Sequence, residues 1–335
     1  MSNDIRKGNP TVSDLHISTP LTNISVAWFQ ANQGKYRARS IFPTVGVMKQ
    51  GDKYYTYNQG DLQRSQAKDR APGAEAPIGG YKVSSDTYFC NRKSLGRDIA
   101  DPERFNADPA FDLDVEAAEF VTDQIELAIE NDFVADFFAT GVWDGASSST
   151  DMTGQAAPAS TTSNFRQWND VASTPIEDVR GELTSVESGT GYRPNKLVLG
   201  SRVWASLADH PDIVDRMKSG TAIVTRQLLA SLLELDEVVV LGAVKNSANE
   251  GTTASVDYIA GKHALLAYVA PRAGLRTPTA GYTFIWTGAG VPLGGVRIKR
   301  YRLERNESDR IEGETWFDQK QVASALGAFF ASAVV

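Results

Sequence analysis

The stretch DLDVEAAEFVTDQIELAIENDFVADFFA, residues 112–139, decides how this 335-residue chain is read. Ala117, Val121, Ile125, Ile129, Phe133 and Phe137 recur every four residues, and Ala118, Leu127, Ala128, Val134 and Phe138 widen the apolar side. That period predicts one amphipathic α-helix. Asp112 or Asp114 can cap its start, where carboxylates also suit the helix dipole, and Gly141 is a natural stop. At 1.5 Å of rise per residue the helix would run roughly 40 Å, long for a compact domain and suited to a strut.

The same stretch holds nine carboxylates (Asp112, Asp114, Glu116, Glu119, Asp123, Glu126, Glu130, Asp132, Asp136) and neither Lys nor Arg. Such a helix either solvates its acids or gains from a basic partner nearby. The first third of the chain is one candidate, from the same or a neighbouring subunit, because residues 1–104 carry 15 basic against 10 acidic side chains. The whole chain has a formal charge of −7, so tight phosphate-neutralising DNA binding is not expected.

Composition narrows the classes further. With 41 % hydrophobic and 22 % charged residues, the chain can bury a sizeable core, and its length suits two domains or one domain with an insertion. A single Cys90 excludes an internal disulfide and any cysteine-based metal site. His16, His210 and His263 are scattered without metal-ligand spacing, so no metal or cofactor is expected. No run of about 18 apolar residues suggests a membrane span, and MSNDIRKGNP lacks the apolar stretch of a secretory signal. A soluble chain made in a cytoplasm is the expectation.

Working outward, residues 1–27 are polar and contain Pro10 and Pro20, which predicts an extended arm that must lie on something else to be ordered. Residues 41–57 and 81–90 read as strands. Between them, 58–80 has almost no large apolar residue, so the pair makes a hairpin-like projection with a long polar tip. Residues 145–165 read as a loop. An α/β stretch follows: a helix from about 175 to 188 opened by the capping-box pattern Thr174-Pro175-Ile176-Glu177, a strand at Leu197–Leu199, helices from Ser201 and Thr225, and strands at 237–241, 264–269 and 283–286. Segments 295–305 and 311–317 read as strands joined by a polar turn, and the small apolar tail 321–335 as packed.

Chemical signatures are missing from the text. Gly34-Lys35 and Gly261-Lys262 lack phosphate-loop spacing, and Gly288, Gly290, Gly294 and Gly295 lack dinucleotide-binding spacing. No nucleophile elbow or zinc-protease motif occurs. Cys90 reads as a packed thiol and His210, before Pro211, as a helix-end residue.

The order of the segments resembles the major capsid protein of tailed bacteriophages, the HK97-like fold. The likeness is carried by Gly191–Gly200 followed by Ser201–Pro211, by LLASLLELDEVVVL (228–241), by ALLAYVAP (264–271) and GYTFIW (281–286), and by Val296–Asp309 with Ile311–Phe317. It implies an α+β fold: an N-terminal arm over 1–40, an E-loop with flanking strands over 41–91, a peripheral domain over 92–164 containing the spine helix 112–139, an axial domain over 165–292, and peripheral closing strands over 293–335. It also implies a structural shell subunit without catalysis or cofactor, assembling with copies of itself into hexamers and pentamers around double-stranded DNA. Portal, a separate scaffolding protein and a decoration protein are the further partners implied, with no membrane. The place implied is the virion capsid, assembled in the bacterial host cytoplasm.

Arg64, Lys68, Arg70 and Lys82 on the projection are the candidates to meet Glu116, Glu119 or Asp123 of an adjacent subunit. No motif links Lys53, Lys68 or Lys82 to Asn306, so a covalent isopeptide link is not expected. A cellular nanocompartment shell is the alternative within the fold. A carbohydrate-active α/β enzyme and a strand-dominated tail component are the alternatives outside it.

Overall fold

The computed structural model describes residues 35–57, 63–73, 75–76, 78–106, 112–144, 151–157, 163–217, 224–274 and 277–335. The expected arm over 1–27, with His16, lies outside the described residues.

The acidic stretch forms one helix, Leu113–Phe137, and Asp112 caps it by accepting from the backbone N–H groups of Asp114 and Val115. All six residues of its four-residue repeat are buried. They rest on a five-stranded sheet of Asn91–Ala100, Ser308–Gln321, Arg297–Leu303, Gly281–Trp286 and Thr44–Val47. The contact is close because Ser308–Gln321 carries Gly313 beneath the helix: a Cβ there would stand 2.5 Å from Val121 Cγ1 and 3.1 Å from Ile125 Cδ1. At the helix C-terminal end, Phe42 packs on Phe133 and Phe137. Trp143 Nε1 donates to the Phe137 carbonyl at the helix end at 2.8 Å. The chain turns at Gly141 (φ +81°), four residues past the end of the helix at Phe137.

The second unit is a six-stranded sheet in the order Asn164–Arg166, Met152–Gln155, Gly327–Ala331, Ala264–Ala267, Lys196–Gly200, Glu237–Leu241. Its central strands are apolar on both faces, as Leu197, Val198 and Leu199 show by being fully buried, which is the pattern of a sheet covered on two sides. One side belongs to the core beneath the long helix, through Val198, Leu265 and Phe329. The other packs on the helices Pro175–Thr190, Ser201–Ala208 and Arg226–Leu233, through Leu199, Leu266 and Phe330. Each large apolar side chain buried this way contributes about 1.5–3 kcal/mol.

Several boundaries differ from the sequence reading. Thr174 makes no side-chain cap, and Glu177 of the expected capping box pairs with Arg216 rather than reaching back to Thr174. Thr225 does cap its helix, accepting from Leu228 N–H at 3.3 Å. The strand Asn91–Ala100 has no apolar alternation to announce it, since charge pairs face both sides: Lys93 and Arg97 bond Asp132 and Glu116 of the helix, while Arg92 and Asp98 bond Glu312 and Arg310. Gly281–Trp286, expected with the axial strands, pairs with Ser308–Gln321 in the five-stranded sheet. The tail strand Gly327–Ala331, expected with the closing strands, pairs with Ala264–Ala267 in the middle of the other sheet. Short apolar strands carry no marker of which sheet they join, and these two cross over. The expected loop 145–165 contains the short strands Met152–Gln155 and Asn164–Arg166.

Candidate subunit-contact surfaces

The long helix finds its basic partners inside its own chain. Asp123 accepts from Lys35 Nζ and Tyr36 Oη, both at 2.8 Å. Glu126, 1 % exposed, accepts from Arg39 Nε at 3.0 Å, with Arg39 Nη2 in ion-pair contact with its other oxygen. Asp132 pairs with Lys93, Glu116 with Arg97 at 3.5 Å, and Asp114 with Arg104 at 2.7 Å. These five cations lie in the basic first third, and Asp114 also pairs with Arg300 of the strand Arg297–Leu303 at 2.9 Å. Glu130, also 1 % exposed, does something different: it accepts the backbone N–H groups of Arg37 and Ala38 at 3.0 and 2.8 Å, holding the start of the short helix Ala38–Ile41. Burial pushes the carboxyl of Glu130 up to about 7, against the pull of those two N–H groups, and raises that of Glu126. The neighbouring Arg37 side chain reaches Glu237 of the other sheet at 2.9 Å, so residues 35–41 tie the long helix to the six-stranded sheet.

The projection has the opposite character. Gly51–Tyr57 and Val83–Phe89 pair antiparallel from Gly51↔Phe89 to Tyr57↔Val83, as a two-stranded sheet of their own. Tyr54 Oη donates to Asp86 at 2.8 Å across the pair. Beyond the strands, the amide of Gln66 pinches the tip by bonding both the N–H and C=O of Gly80 at 2.8 Å. Gln63 Nε2 reaches the carbonyl of Thr190 at 2.6 Å. Arg64, Lys68, Arg70 and Lys82 are all exposed on this tip. So are large apolar side chains: Ile78 (94 % exposed), Tyr81, Tyr55, Val83 and Phe89. Beside the projection lies an open groove of about 840 Å³, walled by Tyr54, Tyr192, Tyr282, Phe284, Val322 and Leu326 among others.

The predicted contact residues thus separate. The four cations stand on the tip. Of the acids, Asp123 is engaged by Lys35 and Tyr36, Glu116 keeps 56 % of its side chain exposed despite Arg97, and Glu119 is exposed. Sequence patterning alone missed Ile78 and the groove, because neither an isolated Ile nor a cleft between distant segments leaves a periodic signal.

Cys90 and His210 are held in structural roles. Burial pushes the Cys90 thiol up to about 12. His210 is buried beside Ser173, with Nε2 2.9 Å from Ser173 Oγ and 3.0 Å from the Asp170 carbonyl. Its Nδ1 accepts the Asp212 N–H at 3.1 Å, which leaves Nε2 as the donor toward Ser173 and the Asp170 carbonyl. Among the described residues no group of three or more His, Cys, Asp or Glu could hold a metal ion, and no helix is long and apolar enough to cross a membrane.

Comparison with known proteins agrees with this architecture. The chain is similar to the phage-related protein of Bordetella bronchiseptica RB50, with TM-score 0.69 and 20 % identity over 95 % of this chain and 98 % of that one. It is also similar to the mature capsid of bacteriophage PhiM1, with TM-score 0.57 and 13 % identity over 89 % and 87 %. The chain has the HK97-like capsid fold. A virus-like particle from Pyrococcus furiosus has the same fold at 10 % identity (TM-score 0.52; 93 % of this chain, 97 % of that one). Sequence is more selective. The chain is 26 % identical over 305 residues to the major capsid protein of Burkholderia phage BcepMu, covering 90 % of this chain and 93 % of that protein. It is 28 % identical over 324 residues to the major capsid protein of Pseudomonas phage JBD67, covering 95 % and 97 %. No protein-family model matches.

Proposed function

We propose that this chain is the major capsid subunit of a tailed-phage head, self-associating into hexamers and pentamers of an icosahedral shell. The observation that carries the reading is the similarity, over nearly the full length of each partner, to two proteins named as phage major capsid proteins. The physics of the chain supports it. The projection exposes Ile78, Tyr81 and Tyr55 and stands on a two-stranded sheet. An isolated pair of strands is marginal in water, so the element gains stability when a neighbour covers it. A closed shell repeats each such contact by symmetry.

The role is structural, without catalysis, and the place is the virion capsid after assembly in the host cytoplasm. Double-stranded DNA is enclosed without sequence-specific contact, in keeping with the net charge of −7. Portal and a separate scaffolding protein complete the assembly, and a decoration protein is a further partner. The peripheral unit is the five-stranded sheet with the long helix, and the axial unit the six-stranded sheet with its three helices. Arg64, Lys68, Arg70 and Lys82 of one subunit face the exposed acids of a neighbour's long helix, Glu116 and Glu119 foremost and Asp123 beside them.

Negative-stain electron microscopy of the chain, expressed alone and with the head-assembly proteins encoded beside it, tests the reading. Closed shells, tubes, or discrete pentamers and hexamers are expected. A chain that stays monomeric in both preparations overturns it.

A further inference from the structure

The strand Gly327–Ala331 runs antiparallel to Ala264–Ala267 in the middle of the six-stranded sheet, and the chain leaves the sheet at Ser332. Ser332 has φ +50°, in the left-handed region that residues other than glycine rarely adopt. His263 holds the turn. Its Nδ1 accepts the Ser332 N–H at 3.0 Å, and its ring stacks on Phe329 with 5.5 Å between centroids. Past the turn the chain is fastened by amide groups. Gln167 Nε2 donates to the Ser332 carbonyl at 3.3 Å, the Trp168 N–H to the Ala333 carbonyl at 2.7 Å, and the Val335 N–H to Asn169 Oδ1 at 3.2 Å. Ala333 and Val334 are buried in the core that contains Phe165, Trp168 and Phe330.

Of these fasteners only the imidazole titrates near neutral pH. An Nδ1 that takes a proton loses the lone pair it offers and points a second donor at the Ser332 N–H. The surroundings of the ring resist that proton. From Gly327–Ala331 it meets the apolar Phe329, and from Lys196–Gly200 a backbone group, since the Gly200 N–H donates to the His263 carbonyl at 3.0 Å. Lys262, beside it in the chain, is the charge that acts on it, and it repels a second positive charge. Burial first, and then Lys262, push His263 below the ordinary histidine value of 6.5.

We propose that His263 is an acid-operated latch, whose protonation at Nδ1 releases residues 332–335 from the six-stranded sheet. Above 6.5 the ring is neutral whether the segment is latched or released, and the latch holds in full. As pH falls below 6.5, the released ring takes a proton that the latched ring resists, and the balance moves toward release. Release uncovers the packed rings of Phe165, Trp168 and Phe330, of which Trp168 and Phe330 are fully buried while the latch holds. The device belongs to one chain and does not depend on the shell reading.

Hydrogen exchange of the full chain tests the latch, read by mass spectrometry on the C-terminal peptide and corrected for the intrinsic pH dependence of exchange. Protection of residues 332–335 in the wild type should fall severalfold between pH 8 and pH 5, while Ala264–Ala267 keeps its protection. His263→Gln retains a side-chain acceptor that does not titrate in this range, so its protection at pH 5 should match that at pH 8. His263→Phe keeps a ring against Phe329 without the acceptor, so the segment should exchange fast at both. Wild type and His263→Gln losing protection in parallel overturns the proposal, as does wild-type protection that ignores pH. Loss at Ala264–Ala267 together with the segment also overturns it, because the sheet is then unfolding. If His263→Gln fails to fold, carbon-13 NMR of the wild-type ring decides: its titration should share a midpoint with the loss of protection, and a separate midpoint overturns the latch.

Discussion

The helix Leu113–Phe137 and the projection on Gly51–Tyr57 and Val83–Phe89 treat their side chains in opposite ways. On the helix, five acids meet side-chain cations of the same chain and a sixth holds its backbone, and the whole four-residue repeat is buried. On the projection, the basic tip and five large apolar residues face solvent. The difference separates two kinds of information. The helix and its sheets can be specified by one chain. The projection leaves large apolar side chains that the described residues of its own chain do not cover.

The largest test of this division is Arg39→Ala. It leaves Glu126 as an uncompensated charge at 1 % exposure and should cost about 3–5 kcal/mol of unfolding free energy, read by chemical denaturation of the unassembled chain. Phe133→Ala, under Phe42 and Phe137, belongs to the same class at about 3–5 kcal/mol. If either loses less than about 1 kcal/mol, the helix is not clamped by its own chain and the comparison collapses.

Glu130→Gln sharpens the clamp through pH. The folded value of about 7 lies above the ordinary 4.5, so between those values the folded state holds a proton that the unfolded chain has released. Stability from this group is present below about 4.5 and is lost as pH rises through 7. The slope is about 1.4 kcal/mol per pH unit at most. Glu126, beside it, is raised in the same direction, while Arg37 and Arg39 are the cations that oppose. The variant cannot ionise yet still offers an oxygen to the Arg37 and Ala38 N–H groups. Its melting temperature should fall less than that of wild type between pH 5 and pH 8. Parallel curves would show that Glu130 does not titrate in this range.

How much of this was legible in the sequence follows from the same physics. A period of four over 112–139 could be read because burial selects one helix face repeatedly, and Asp112 could be read as a cap because capping needs particular side chains. The charge contrast between residues 1–104 and the helix named the partner region, and left open which chain would supply it. The pairing of Glu130 with backbone rather than with a cation was invisible, since any N–H can donate. The strand Asn91–Ala100 was hidden because charge pairs, not apolar alternation, line both its faces. Sheet membership of Gly281–Trp286 and Gly327–Ala331 depends on long-range pairing, which local composition does not encode. On the projection, the long polar tip was readable from what it lacked, while the groove at its base required segments around residues 54, 192, 282 and 326 to come together.

A smaller effect on the fold is expected at the projection itself. Tyr55→Ser, at 59 % exposure, should change the unfolding free energy of the isolated chain by no more than about 0.5 kcal/mol, yet lower assembly yield measured by sedimentation. A large loss of chain stability would mean that the projection is folded by its own body after all.

The smallest effect per subunit, and the one that depends most on multiplication, is charge reversal at the tip. Arg64→Glu with Lys68→Glu removes two exposed cations from each copy. An exposed ion pair is worth about 0–1 kcal/mol and weakens with salt. One subunit would scarcely register the change. In a shell the contact recurs at every equivalent position, and like charges replace opposite ones each time. Reversed particles should therefore dissociate at lower denaturant than wild type when ionic strength is low, and the two should converge as salt screens the contact. Adding Glu119→Lys to the reversed chain should restore part of the loss, because the exposed acid on the long helix is then the partner being matched. Failure of that rescue, with the fold intact, would move the tip's charged contact away from the long helix.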